Sequence, residues 1–282
     1  MNSISSRCGG FDLQPVGGYL KSKSFQATHL GGEEISEKKS NLRHLVVKDA
    51  VWHLVDLASG TDPETAFSHA IEMAEAKGEG TDARALVQRA SGLSDDAIAS
   101  VCRLSVYDYN DLWDRPQEPS AETLSQIREM AERGARFLEK HGPKSANGFV
   151  FGAGFADDLA ADPWVFTAGG TLWALKTSSS RLNKNDTLHI LLHYLVGRHY
   201  IPEIGAVRNI GVYNARLDTA YTISIAGIPR KTMQSVERDY VEAILSNRRP
   251  TRHFGFWFNL LRAAIIVFGL LWILGLLLLV VA

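Results

Sequence analysis

The sequence predicts an α/β protein with a helical N-terminal layer, an α/β core and one C-terminal transmembrane helix. Three observations carry that class. Apolar residues recur at helical spacing through residues 41–144. After Asn147 the period shortens to that of strands, and one apolar helix and a hairpin pattern follow. The final segment, Ala263 to Ala282, holds no charged side chain.

Residues 1–40 are rich in glycine, serine and charge, and read as an irregular N-terminal arm. From Leu42 the pattern turns helical. Leu45, Val51, Trp52, Leu54, Val55 and Ala58 share one broad stripe, which Gly60 ends. Asp62-Pro63-Glu64 starts a second helix, with Asp62 placed to cap and Pro63 at the first position. Ser94-Asp95-Asp96 starts another, running through Val101 and Leu104. Ser120-Ala121-Glu122 opens a long helix with Leu124, Ile127, Ala131 and Leu138 on one face, closed by Gly142-Pro143. Gly134 lies on that face and lowers its helix propensity.

Strands are expected at Phe149-Val150-Phe151, Trp164-Val165-Phe166 and Thr171 to Thr177, separated by glycines and Asp162-Pro163. A helix follows from Asp186 through Leu188, Leu191, Leu192, Leu195 and Val196 to Gly197. Ile210 to Tyr213 and Tyr221 to Ile225 read as two more strands across a short turn, and Pro229 begins a helix reaching about Leu245. The domain boundaries expected are an arm at 1–40, a helical layer at 41–144, an α/β core at 145–246, a basic and aromatic linker at 247–262, and an anchor at 263–282.

Twenty apolar residues in a helix reach about 30 Å, the thickness of a bilayer's hydrocarbon core. In lipid the backbone must satisfy its own hydrogen bonds, so such a segment is expected to be helical. Arg248, Arg249, Arg252 and Arg262 crowd its N-terminal side, so the domain before it is expected on the cytoplasmic face. Phe254, Phe256, Trp257 and Phe258 form an aromatic collar at headgroup level, and Arg262 can snorkel to the same interface. The competing reading is a helix buried in a protein core. Gly269 and Gly275 are spaced six apart and do not make the small-xxx-small dimer pattern, so the span reads as an anchor and not as a channel. A lipid bilayer is thus the first expected partner, and the basic runs Arg230-Lys231 and Arg248 to Arg252 suit anionic headgroups better than DNA.

Without that tail roughly 250 residues remain, enough for one large domain or two small ones. A formal net charge of −1 gives no global basic field of the kind that marks nucleic-acid binding. Cys8 and Cys102 lie far apart without metal-type spacing, which suits a reducing compartment. The first twenty residues, MNSISSRCGGFDLQPVGGYL, lack the apolar region of a signal peptide.

The stretch GFADDLAADPWVFTAGGTLWALKTSSS holds the residues with a chemical reading. Two adjacent strands, one preceded by aspartates and the next ending in a lysine, resemble the PD-(D/E)XK nuclease superfamily. The helix TLHILLHYLVG, with His189 and His193 where some branches carry a Gln-x-x-x-Tyr signature, is similar to the helix that follows that core. IGVYNARLDTAY resembles the strand-turn-strand with an Asn-x-Arg turn seen after it, and TAFSHAIEMAEA and CRLSVYDYNDLWDR look like helices of an uncharacterised bacterial branch. The likeness covers roughly residues 45 to 228. It implies a restriction-endonuclease-like mixed-sheet core in which an aspartate and a second acid, two residues before the lysine, bind Mg²⁺. The metal would activate water and screen the scissile phosphate, and the lysine would stabilise the charged transition state.

Carried over residue by residue, Asp158 or its neighbour Asp157 matches the first acid and Lys176 the lysine. The position two before Lys176 is Ala174, so the second acid is vacant and Mg²⁺ affinity should fall. Three accounts remain. The acid has migrated, to Asp157, Asp162 or Glu33/Glu34; or the protein is a nuclease fold kept for binding; or the alanine is an engineered inactivation. Plain readings stand beside these. Lys176 can be a strand-end lysine, and Asp157 and Asp158 turn residues before Asp162-Pro163. His189 and His193 are one helical turn apart and, with His199, could hold a metal, although no glutamate follows His189 as HExxH requires. Otherwise they face a substrate groove or solvent. Arg216 is expected to cap the hairpin turn, with phosphate contact as the other reading.

The function expected is a membrane-anchored, divergent, metal-dependent nuclease-like protein acting on DNA, in bacterial anti-phage defence by resemblance alone. The alternative is a catalytically inactive adaptor or sensor binding a protein or nucleic-acid partner at the membrane. A hydrolase built on the three histidines is a third reading. A partner protein of the same system, or a second copy in an oligomer, could supply the missing acid.

Overall fold

The computed structural model describes residues 2–3, 14–108, 118–147, 159–160, 162 and 164–245. The strand expected at 149–151, Asp157 and Asp158, the arginine-rich linker with Trp257, Arg262 and the apolar C-terminal segment all lie outside the described residues. Among the described residues no helix is long and apolar enough to cross a membrane.

Six strands form one mixed sheet: β1 (Gln26–His29), β2 (Lys144–Asn147), β3 (Val165–Ala168), β4 (Thr171–Lys176), β5 (Asn209–Asn214) and β6 (Thr219–Ser224). Their spatial order is β1-β6-β5-β4-β3-β2. Every pairing is antiparallel except β4 with β5, which runs parallel from Thr171↔Asn209 to Lys176↔Asn214. Parallel neighbours need a crossover, and helix α7 (Lys184–Gly197) supplies it. β3 and β4 are joined by Gly169-Gly170, both at positive φ, the backbone that a two-residue hairpin turn demands.

Six helices precede the meander after β1: α1 (His44–Ala58), α2 (Pro63–Ala66), α3 (Ser68–Glu75), α4 (Gly80–Arg89), α5 (Asp95–Val106) and α6 (Ala121–His141). The expected caps are present: Asp62, Ser94 and Ser120 accept from the backbone N–H of Thr65, Ala97 and Thr123. Gly134 is where α6 crosses α1, and a Cβ there would collide with Val55 Cγ2. Its low propensity is the cost of a close helix crossing.

Side chains alternate across β4 and divide the core in two. Trp173 and Leu175 join Val47, Trp52, Leu104, Ile127 and Phe137 of the helical layer. Leu172 and Ala174 face the other way, onto Leu188, Leu191, Leu195 and Val196 of α7. Behind α7 pack Val236, Tyr240, Val241 and Ile244, from α9 (Arg230–Val236), a π-turn (Glu237–Val241) and α10 (Glu242–Leu245). Between α7 and β5 lies the short α8 (Pro202–Gly205). The molecule is therefore helix layer, sheet, helix layer.

The N-terminal arm differs from expectation. It carries β1, which pairs with β6 from Gln26↔Thr222 to His29↔Thr219, and it gives Leu20 and Phe25 to one core and Ile35 to the other. All four β1 residues are exposed, so an edge strand of polar side chains leaves no periodicity to read. β2 was likewise not expected at Lys144–Asn147, for its sequence KSAN has no apolar alternation.

Candidate metal centre

Helix α7 is apolar nearly all round, as a helix sandwiched between a sheet and other helices must be. Asp186, His189 and His193 break that pattern. Their spacing of three and then four places them on one stripe, and the stripe faces the ends of β3 and β4. A buried polar stripe must find partners, and here they are Asp162 and Lys176.

Asp162 precedes β3 in a turn closed by the Val165 N–H donating to its carbonyl, and only 1 % of it is exposed. Its Oδ2 lies 2.5 Å from His189 Nε2 and 3.3 Å from His193 Nε2. The donor atoms of these three residues fall within 4.8 Å of one another, so the cluster could hold a metal ion. His193 donates from Nδ1 to the His189 carbonyl at 2.9 Å, while its Nε2 accepts from the Asp162 backbone N–H at 3.1 Å. Those two bonds fix a neutral imidazole with the proton on Nδ1. Burial, reinforced by the neighbouring His189 ring, pushes the His193 pKa down to about 4 against the pull of Asp162.

At the strand end beside them Lys176 Nζ donates to both carboxylate oxygens of Asp186, each at 3.0 Å. Asp186 is itself locked. It accepts from the Asn183 backbone N–H while Asn183 caps the Asp186 N–H, a reciprocal capping box at the start of α7. Lys48, from the first turns of α1, lies 3.3 Å from the centroid of the Trp164 ring at the start of β3. Burial lowers its pKa to about 8, opposed by the carboxylates of Asp162, Asp49 and Asp186 and aided by Lys176. The two ammonium groups and the carboxylates of Asp162, Asp186 and Asp49 thus act on one another at this end of the strand pair.

Several expectations are corrected here. The third group beside His189 and His193 is Asp162, not His199, whose ring stands against Tyr200 at 6.5 Å between centroids. Arg216 neither caps the hairpin nor faces a groove. It is 1 % exposed and donates to the carbonyls of Thr177 and Ile35 and to Gln126 Oε1, so its guanidinium is committed to backbone. The turn is capped instead by Asn214 Oδ1, which accepts from the N–H groups of Arg216 and Leu217. Ala174 sits opposite Val165 in the apolar core against α7, so the vacated acid position is itself dry. Glu33 and Glu34 are exposed beside Asp218 and Arg133, on the helical-layer side.

The sequence marks Asp162, His189, His193 and Lys176 as candidate site residues, Asp186 only as a helix start, and Lys48 not at all. The three-then-four spacing of Asp186, His189 and His193 was a readable signal. Lys48 gave none, since its approach depends on how α1 docks. Comparison with family models, with curated proteins and with solved structures found no match to this chain.

Proposed function

We propose that this chain is a metal-dependent phosphodiester hydrolase of nuclease-like arrangement, held at a membrane by its C-terminal segment. The observation that carries the reading is the position of Asp162, bound to both histidines of α7 at the end of the strand pair that carries Lys176. An acid before one strand, a lysine ending the next, a crossover helix and a hairpin with an Asn-Ala-Arg turn follow one another as in the nuclease core this sequence resembles. Asp162 stands in for the acid that Ala174 lacks.

A divalent ion at this cluster would supply a polarised water and screen charge on a phosphate. Lys48 and Lys176 offset two of the three carboxylates of Asp162, Asp186 and Asp49, so a bound dication leaves the site net positive, which favours an anionic ester. Lys176 is pre-positioned by Asp186 to face a non-bridging oxygen, and Lys48 offers a second cation from the opposite layer. DNA is the substrate proposed, with tethering placing cleavage at the membrane.

The adaptor reading has one observation in its favour. Asp162 and His193 are each 1 % exposed and already hydrogen-bonded, so the same network would also serve as a purely structural clamp. The two readings separate in a cleavage assay of the full-length chain in detergent, with single- and double-stranded DNA and Mg²⁺, Mn²⁺ or Zn²⁺. Metal-dependent cleavage that falls at least about 100-fold in Asp162→Asn and in Lys176→Ala supports the hydrolase. A folded wild type that is silent with every metal moves the assignment to the adaptor.

A further inference from the structure

The geometry points to a zinc-type site: Asp162, His189 and His193 would hold a borderline first-row ion such as Zn²⁺ or Co²⁺ in tetrahedral geometry, with the fourth position open, in preference to Mg²⁺. This inference refines the hydrolase reading by naming the metal class of the same site.

The donor set argues first. Two imidazole nitrogens and one carboxylate oxygen suit zinc, whereas Mg²⁺ demands oxygen ligands in near-ideal octahedra and keeps several waters. Three protein ligands with a free fourth position is the arrangement of catalytic zinc.

Geometry argues second. Bonds of about 2.05 Å in a tetrahedron set neighbouring donor atoms ~3.3 Å apart. Asp162 Oδ2 and His193 Nε2 are separated by 3.3 Å. His189 Nε2, at 2.5 Å from the same oxygen, needs to open by less than an ångström. Both histidines sit one turn apart on a helix packed on every side, with ring centroids 4.4 Å apart, so their separation is set by the scaffold rather than by a loop.

The surrounding shell argues third. A metal-bound histidine commonly donates its other ring N–H to a carbonyl, which fixes the tautomer. His193 does so: Nδ1 donates to the His189 carbonyl, leaving Nε2 as the ligand atom. Binding would cost the bond from the Asp162 N–H to His193 Nε2, one hydrogen bond exchanged for a coordinate bond. Lys176 does not oppose the ion strongly, because Asp186 neutralises it at both oxygens.

The test uses the full-length chain in detergent, stripped with chelator and titrated with Co²⁺. The expected result is one equivalent bound with the intense visible bands of four-coordinate Co²⁺, displaced stoichiometrically by Zn²⁺ and unaffected by millimolar Mg²⁺. His189→Gln, at the more exposed ligand, and Asp162→Asn should abolish the bands while the far-ultraviolet circular dichroism is unchanged. If Asp162→Asn fails to fold, His189→Gln alone decides. No bands in the wild type, bands that survive His189→Gln, or displacement by Mg²⁺ would each overturn the inference. Zinc bound without DNA cleavage would sink the hydrolase and leave this site standing. Cleavage with Mg²⁺ and no zinc binding would do the reverse.

Discussion

At the scale of single residues, the buried polar groups fall into two kinds. Arg216 and Asn214 are structural, tying the hairpin turn to the end of β4 and to the arm. Arg216→Met would strand the buried acceptors at Thr177, Ile35 and Gln126, and should cost about 2–4 kcal/mol in urea unfolding while leaving metal binding unchanged. His193 belongs to the candidate site, and its burial as a neutral ring has a consequence for pH. Its folded pKa, about 4, lies below the unfolded value near 6.5. Between those values the unfolded chain binds more protons, so stability is full above about pH 6.5 and falls as the pH drops towards 4. Metal-free wild type should therefore lose on the order of 3 kcal/mol across that window beyond what His193→Gln loses, read from urea midpoints at each pH. The histidines and Asp162 were legible because their types and spacing stand out of an apolar helix and a turn. The commitment of Arg216 to backbone carbonyls was not, since nothing in YNAR says which way a long side chain will fold.

At the scale of elements, helix caps and turns follow directly from sequence. Asp62, Ser94, Ser120 and Gly169-Gly170 act where local chemistry put them, because each effect is complete within four residues. Strands β1 and β2 escaped because polar edge strands are held by backbone ladders, which periodicity does not register. The α1–α6 crossing gives a direct check. Gly134→Ala should raise helix propensity yet destabilise by about 1–3 kcal/mol, because the new methyl meets Val55. Adding Val55→Ala should recover part of that loss, so the double variant is less unstable than the sum of the singles, as thermal unfolding would show. Along β4, Ala174→Asp places a carboxylate among Val165, Leu172 and Leu188. It should lower stability by several kcal/mol rather than complete a metal site. An Ala174→Asp chain as stable as wild type would mean that this position faces the ion after all.

At the scale of the whole molecule, the parallel β4–α7–β5 unit is what brings chemistry together. It delivers the strand-end lysine, the capped aspartate and the histidine pair to the ends of β3 and β4, where Lys48 of α1 also lies against Trp164. The α/β class and a helical layer ahead of the sheet core were readable from hydrophobic period, whereas the second helix layer and the approach of α1 to the α7 site required the three-dimensional packing. The proposed membrane tether belongs to this scale too. Removing residues 263–282 should shift the protein from the membrane pellet to the supernatant on fractionation, and Arg248, Arg249 and Arg252 changed together to Gln should weaken its binding to anionic vesicles. A truncated chain that stays with the pellet would reassign the apolar segment to a protein core.

Anomalous diffraction from crystals grown with Zn²⁺, collected on either side of the zinc edge, tests most directly where a metal binds. The predicted result is a single strong peak about 2.0–2.2 Å from His189 Nε2, His193 Nε2 and Asp162 Oδ2 together, with a water in the fourth position. Crystals that bind zinc elsewhere, and leave His189 bonded to the Asp162 carboxylate and His193 to the Asp162 N–H, would contradict it.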